Sequence, residues 1–322
     1  MILKLDREQL AAEISALDML LASLPANDVL GRIGLEARRN ELRGRFELLA
    51  GADERRAKIA LYFGGDPVVG SLGVQAGFGT KVVSSFQDLI TKVWGTGEAG
   101  QLPAMGPIPD RAASQLHITN LVHGSFGFLL EELHEEGEPL FESALMKATD
   151  QAAELIASFA GENEARFSET IEVMDQRVFQ SLRDFLGSVY RGKATFRLVE
   201  GERDERFDRV AVERAWHRAE ASTIDEDRIS LQGRLLGVIP VRGRFEFEPD
   251  GAPRIIEGKV GKRFSQTYLE RLNTEKFAGR RWNALLQRRV ITKVGRQPAE
   301  NYTLLELTEI EPPTPANPPQ NG

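Results

Sequence analysis

Leu10, Ile14, Leu17, Leu21 and Leu24 recur at spacings of three and four, which places one apolar stripe along a single helix. Asp6, followed three positions later by Gln9, resembles a capping box and predicts that the helix starts there. Pro25-Ala26-Asn27-Asp28 breaks the pattern, and a second helix follows in which Leu35, Leu42 and Leu49 stand at heptad spacing with Phe46 filling the stripe. Arg38, Arg39, Glu41, Arg43 and Glu47 occupy its other faces. The pair predicts a coiled-coil-like helical hairpin over residues 1–52. Two uses of it stay open: an arm packed on its own domain, or a seam over residues 6–49 that joins a second copy or another protein.

The period then shortens. Residues 58–63 (KIALYF) predict a strand, Gly64-Gly65-Asp66-Pro67 a turn, and 68–78 a glycine-punctuated stretch. Val82, Val83, Phe86, Leu89, Ile90 and Val93 give the next helix a wide apolar face for docking on a sheet. A loop runs from Gly95 to Asp110. Strands are expected at 116–122 and 125–130, joined at His123-Gly124, and a helix at 139–160, so that residues 56–160 form an α+β domain. Residues 161–192 read as one connecting helix, with Ile171, Met174, Val178, Leu182, Phe185 and Val189 at near-helical spacing.

Residues 193–310 predict a β-rich domain, opened by a strand pair at 194–199 and 206–212 and a short helix around Trp216. From about residue 228 the order becomes three strands (229–239, 241–248, 254–260), a helix (265–273) and two strands (288–294, 301–310). That order suggests a small closed OB-like barrel, a five-stranded form that often binds a polymer or oligosaccharide across one face. The fold class expected for the whole chain is therefore α+β: hairpin, central α+β domain and barrel. The proline-rich end, 311–322, reads as a disordered tail.

Charge sharpens the last domain only. The chain carries a net charge of −7, yet between Arg234 and Arg296 fifteen Lys and Arg stand against six Asp and Glu, about +9 for that stretch. Arg242, Arg244, Lys259, Lys262, Arg280 and Arg281 are the candidate phosphate-neutralising residues, with Trp282 as a candidate base-stacking platform. The competing reading pairs these cations with acidic residues of the same chain, including Asp225, Glu226 and Asp227.

Composition excludes several classes. With 41% hydrophobic and 28% charged residues the chain is expected to fold. It has no cysteine, which removes disulfide frameworks and thiolate metal sites and fits a cytoplasmic protein. The start, MILKLDREQL, reaches charged residues too early for a signal peptide, and no apolar run approaches a membrane span.

Chemical motifs fail on their details. Gly79-Thr80-Lys81 inverts the order a P-loop needs, and no acidic residue closes a second parallel strand as the dinucleotide fingerprint requires. His123-Gly124-Ser125-Phe126-Gly127 leads into alternating Phe126, Phe128 and Leu130, a strand rather than the helix of a nucleophile elbow. His134 among Glu131, Glu132, Glu135, Glu136 and Glu138 reads as an acidic, solvated helix end. No catalytic residue, cofactor or metal is assigned. The expectation is a non-enzymatic adaptor that associates through the hairpin and presents a barrel face, with single-stranded nucleic-acid or nucleotide binding on the basic barrel as the alternative.

Overall fold

The computed structural model describes residues 2–25, 28–50, 55–99, 102, 103, 105–108, 110–122, 126–133, 140–251, 254–261, 264, 268, 280–293 and 297–310. The chain is mixed α+β and divides into two compact units, Met1–Glu220 and Ala221–Gly322. The expected helix at 265–273, the acidic run from His134 to Glu138, Lys262 and the tail lie outside the described residues, apart from Tyr268.

In the first unit, helices α1 (Leu3–Ser23) and α2 (Val29–Ala50) form the hairpin. Leu10, Leu21 and Leu42 are buried along it, and Asp18 accepts hydrogen bonds from both Arg39 and Arg43 across it, each at 3.2 Å. Helix α1 begins ahead of Asp6, which lies in its first turn rather than capping it.

Next come β1 (Lys58–Gly65), the two-residue strands β2 (Val68–Val69) and β3 (Gly73–Val74), α3 (Ala76–Ala99), β4 (His117–Val122), β5 (Phe126–Glu131) and helices α4 (Ala144–Ala160), α5 (Glu164–Val173) and α6 (Gln176–Arg191). The unit ends with β6 (Ala194–Glu200), β7 (Arg203–Phe207) and α7 (Arg209–Glu220). One sheet of order β4-β5-β1-β6-β7 organises all of it, and every pairing in it is antiparallel.

Two sequence expectations change here. The expected single connecting helix is two, because Asp175 leaves helical geometry and its carboxylate accepts the amides of Arg177 (2.8 Å) and Val178 (3.3 Å), capping α6. Neither half bridges domains: Phe167, Ile171, Leu182 and Phe185 are buried in the unit. The strand pair assigned to the C-terminal domain also belongs here, since Ile59–Gly65 of β1 lie opposite Ala194–Glu200 of β6. Helix α7 packs beside α4, where Arg218 donates to the carbonyls of Phe159 (2.9 Å) and Gly161 (2.7 Å) and so satisfies the open end of α4.

Both faces of β1 are covered, which explains its unbroken run of buried residues from Ile59 to Phe63. Alternate side chains point to opposite faces. Phe63 packs edge-on against Phe78 at the start of α3, while Ala60 and Tyr62 share a cluster with Ile2, Leu129 and Val199, with Leu5 against it. The base of the hairpin is thus the second cover of the sheet.

In the second unit, β8 (Ser222–Ile239), β9 (Arg244–Pro249), β10 (Ile256–Val260), β11 (Arg281–Lys293) and β12 (Ala299–Glu309) join in the order β10-β12-β11-β8-β9. Strand β8 changes partner along its length: Ser222–Arg234 pair with β11 and Gly233–Ile239 with β9. Strand β10 pairs antiparallel with β9 and parallel with β12. Every strand therefore has two neighbours, and the pairings form a ring. Close approach is permitted by glycine at Gly258, where an added Cβ would come within 2.3 Å of the Tyr302 carbonyl and 2.6 Å of the Phe245 ring. Leu235, Phe245, Phe247, Trp282, Ala284, Leu286 and Leu304 fill the interior.

Candidate interaction surfaces

The seven residues picked from sequence for nucleic-acid binding do not converge as a set. Trp282 is 3% exposed and packs in the ring interior, so it is a core residue and offers no stacking face. Alternation along β11 dictates this: Trp282, Ala284 and Leu286 point inward. Arg280 donates to Glu309 at 2.9 Å, and Arg281 is bound to Asp250. Lys262 lies outside the described residues. The other three do come together. Arg244 and Lys259 are direct register partners on β9 and β10, and Arg242 sits on the turn Pro240–Arg242 that joins β8 to β9. Val241 on that turn is 91% exposed.

Other cations of this unit are matched by neighbouring acids. Arg234 donates to Glu248 at 2.9 and 2.6 Å, and Arg288 reaches Asp227 at 3.0 and 2.6 Å. The Arg288 hydrogen bond holds the Asp227 carboxyl below its ordinary range. The acidic run Asp225-Glu226-Asp227 is itself part of β8, in register with Val290, Arg289 and Arg288 of β11. Among the described residues, Arg234, Arg254, Arg280, Arg281, Arg288 and Arg289 are thus each set against an acidic side chain.

The hairpin presents a different surface. Met19 (67%), Leu20 (52%), Leu30 (85%), Ile33 (58%) and Leu48 (77%) are exposed. At 3.6 residues per turn, Ala12, Ala16 and Met19 lie on the side of α1 opposite Leu10 and Leu21, and Leu30, Ala37, Gly44 and Leu48 on the side of α2 opposite Leu42. Each helix therefore carries two apolar or small-residue stripes, one turned into the hairpin and one turned outward. The sequence reading missed the outward stripe. Its signal was present in the heptad spacing of Leu30, Ala37 and Gly44.

The hairpin is fixed at its base by charge as well as by Ile2 and Leu5. Lys4 reaches Asp204 of β7 at 3.4 Å, and Arg7 pairs with Glu202. Asp204 is held by Arg197 through two hydrogen bonds of 2.6 Å, with the Arg197 guanidinium 5.3 Å from the Tyr62 ring centroid. The Arg197 hydrogen bond, helped by Lys4, keeps the Asp204 carboxyl below its usual value against the effect of burial.

A groove between α3 and α6, of about 800 Å³, is lined by Thr80, Lys81, Ser84, Ser188 and Arg191, with Asp88 and Asp184 further along. One turn beyond Asp88, the Lys92 ammonium donates to the buried Ser181 hydroxyl at 2.5 Å. Burial pushes the Lys92 pKa down, Asp88 opposing. This pair ties the two helices together. The glycine-rich run Gly70–Lys81 folds as the β2–β3 turn followed by the first turns of α3, and β1 has only antiparallel neighbours, unlike the parallel sheet of a dinucleotide site.

Glu132 was expected in a solvated helix end. It is buried instead, accepting from the Ala57 amide at 3.0 Å and the Ser143 hydroxyl at 2.5 Å. That carboxylate clamps the entry to β1 onto the N-cap of α4. Phe126–Glu131 is a strand, so the position of a nucleophile elbow is not met. Among the described residues no group of three His, Asp or Glu is placed to hold a metal ion, and no helix is long and apolar enough to cross a membrane. Comparison of the chain with protein-family models, with curated proteins and with solved structures finds no match.

Proposed function

We propose that this chain is a non-enzymatic binding or adaptor protein of the cytoplasm that associates through its N-terminal hairpin and presents the five-stranded ring, an OB-like barrel, as a second binding face. The observation that carries the reading is the exposure of Met19, Leu20, Leu30, Ile33 and Leu48 on the two hairpin helices. Five exposed large apolar side chains on one pair of helices exceed the scattered single residues that are ordinary on a surface. The absence of cysteine fits a reducing compartment.

The test is a pair of point substitutions, Leu30→Glu with Ile33→Glu, in the full chain. Removing residues 1–50 would be a poor test, since it strips Ile2 and Leu5 from the sheet cluster around Ala60 and Tyr62. The charged variant is expected to keep the melting temperature of the parent and to lose chemical cross-linking to itself or to other proteins. Unchanged cross-linking rejects the hairpin as the association surface.

A second reading, binding of single-stranded nucleic acid, is favoured by one observation. Arg244 and Lys259 are neighbours on β9 and β10, the second and third strands of the ring, and Arg242 lies on the turn before them. In OB-type barrels the corresponding strands and loop contact extended polymers. Neutralising phosphates makes affinity fall steeply with salt. Binding of a labelled oligonucleotide that weakens with salt, and that is abolished by reversing these three charges, supports this reading; no binding at low salt rejects it.

A further inference from the structure

We propose that the groove between α3 and α6 is a binding site for a small phosphorylated sugar or polyol, its phosphate held between Lys81 and Arg191 and its hydroxyls directed toward Asp88 and Asp184. The site lies wholly within the first unit and is separate from the hairpin.

Helices α3 and α6 run antiparallel. At one end the Phe78 ring lies so close to Gly192 that an added Cβ there would come within 2.6 Å of it. Phe86 and Phe185 pack at 5.5 Å in the middle, and Lys92 meets Ser181 at the other end. The residues lining the groove therefore come level in pairs of like kind: Lys81 with Arg191, Ser84 with Ser188, and Asp88 with Asp184. The two charged rungs stand seven residues apart on each helix, about 10 Å at 1.5 Å per residue.

The rungs differ in what already satisfies them. Asp88 accepts from Arg111 at 3.2 Å and Asp184 from Gln180 at 3.1 Å, and both carboxylates act on the Lys92 ammonium. The acidic end is thus balanced, two carboxylates against Lys92 and Arg111. The basic end is not, since neither Lys81 nor Arg191 makes an ion pair among the described residues. Two cations held level repel each other, and an anion between them reverses that cost. Arg191 is exposed yet held in place. Its guanidinium sits 5.3 Å from the Trp216 ring centroid and lies over Gly187, where an added Cβ would come within 2.9 Å of both terminal nitrogens. A fork fixed in this way, with its hydrogen-bond donors unspent, is preorganised for planar recognition of an oxyanion.

A phosphomonoester matches the basic end. It carries close to two negative charges near neutral pH and three strong acceptor oxygens, suited to a guanidinium fork and a lysine point charge together. Ser84 has no hydrogen bond among the described residues and is free to donate, while Ser188 donates to the Asp184 carbonyl at 2.7 Å, which leaves its oxygen to accept. Because the acidic end already has its cations, its carboxylates suit neutral hydroxyl donors better than a further ammonium. The volume of about 800 Å³ falls within the range of small-molecule sites, about 300–1,000 Å³.

The test is isothermal titration calorimetry of the full chain with glucose 6-phosphate, ribose 5-phosphate and glycerol 3-phosphate, alongside inorganic phosphate and glucose. At least one of the three esters is expected to bind about tenfold more tightly than inorganic phosphate, and more weakly as salt rises. Free glucose is expected not to bind measurably. Lys81→Gln and Arg191→Gln should each weaken ester binding about tenfold or more. Lys81 is exposed, so its variant should keep the melting temperature of the parent, which separates a lost ligand contact from lost folding. Asp184→Ala is expected to weaken the ester and leave inorganic phosphate unchanged, whereas Arg209→Gln, an exposed cation outside the groove, changes neither. Binding by none of the esters at millimolar concentration, or binding that Lys81→Gln and Arg191→Gln leave intact, overturns the proposal. Inorganic phosphate that binds as tightly as every ester, with Asp184→Ala without effect, overturns it too, since the site then takes the anion alone. Leu30→Glu with Ile33→Glu is expected to bind the ester as the parent does, so the groove and the hairpin reading fail separately.

Discussion

The hairpin and the ring handle their surfaces in opposite ways. The ring carries a local excess of arginine and lysine in a chain of net negative charge, and sets several of these cations against acids in pairs such as Arg234–Glu248, Arg281–Asp250 and Arg288–Asp227. The hairpin is balanced in charge and leaves Leu30, Ile33 and Leu48 uncovered. A local charge sum is therefore a poor guide to an interface, since strand register decides which charges meet. An uncovered apolar stripe is a better one, because no other described residue of its unit relieves its exposure to water.

The largest expected effect concerns Trp282, the residue on which the two regions were most easily confused. Trp282→Ala should destabilise the second unit by about 3–5 kcal/mol, as emptying a packed core site does, measured by chemical denaturation; a fully stable variant would show the side chain is not core. Next comes the base of the hairpin. Asp204→Asn should cost about 1–3 kcal/mol by leaving Arg197 and Lys4 without their shared carboxylate. Because the folded Asp204 pKa is depressed, its contribution is present above the unfolded value of about 3.9 and is lost as pH falls through the folded value. Between about pH 5 and 2 the parent should therefore lose more stability than the Asn variant, and parallel curves would remove Asp204 from the account.

Smaller still is the expected cost of Arg234→Ala, about 0.2–1 kcal/mol, because that pair is solvent-exposed. A loss several times larger would mean that the ring depends on its surface pairs. Smallest in stability, within about 0.5 kcal/mol, is Leu30→Glu, which the same denaturation series measures. Its effect belongs to association alone, and a large destabilisation would show that Leu30 packs within its own chain.

Much of the fold was legible in sequence. Leucine spacing marks both hairpin helices, and strands are legible within β8, β9, β10 and β12, whereas β11 begins at Arg281, seven residues ahead of the strand expected at 288–294. The boundaries of units were less legible. Residues 194–207 look like any strand pair, and nothing local says that β6 adds to β1 across more than a hundred intervening residues. Nor does periodicity reveal Asp175 as a cap inside what reads as one amphipathic helix.

For the candidate sites the limits were of the same kind. Sequence alone determined which residues are charged, which are apolar, and that cysteine is missing; these follow from residue identity. Tertiary structure decided that Trp282 faces inward, that Glu132 is buried, and that Arg242, Arg244 and Lys259 come together. It also decided that a second stripe of α2 has no cover among the described residues. Those outcomes depend on strand register and on packing between segments far apart in the chain, where a shift of one residue turns a side chain from solvent to core.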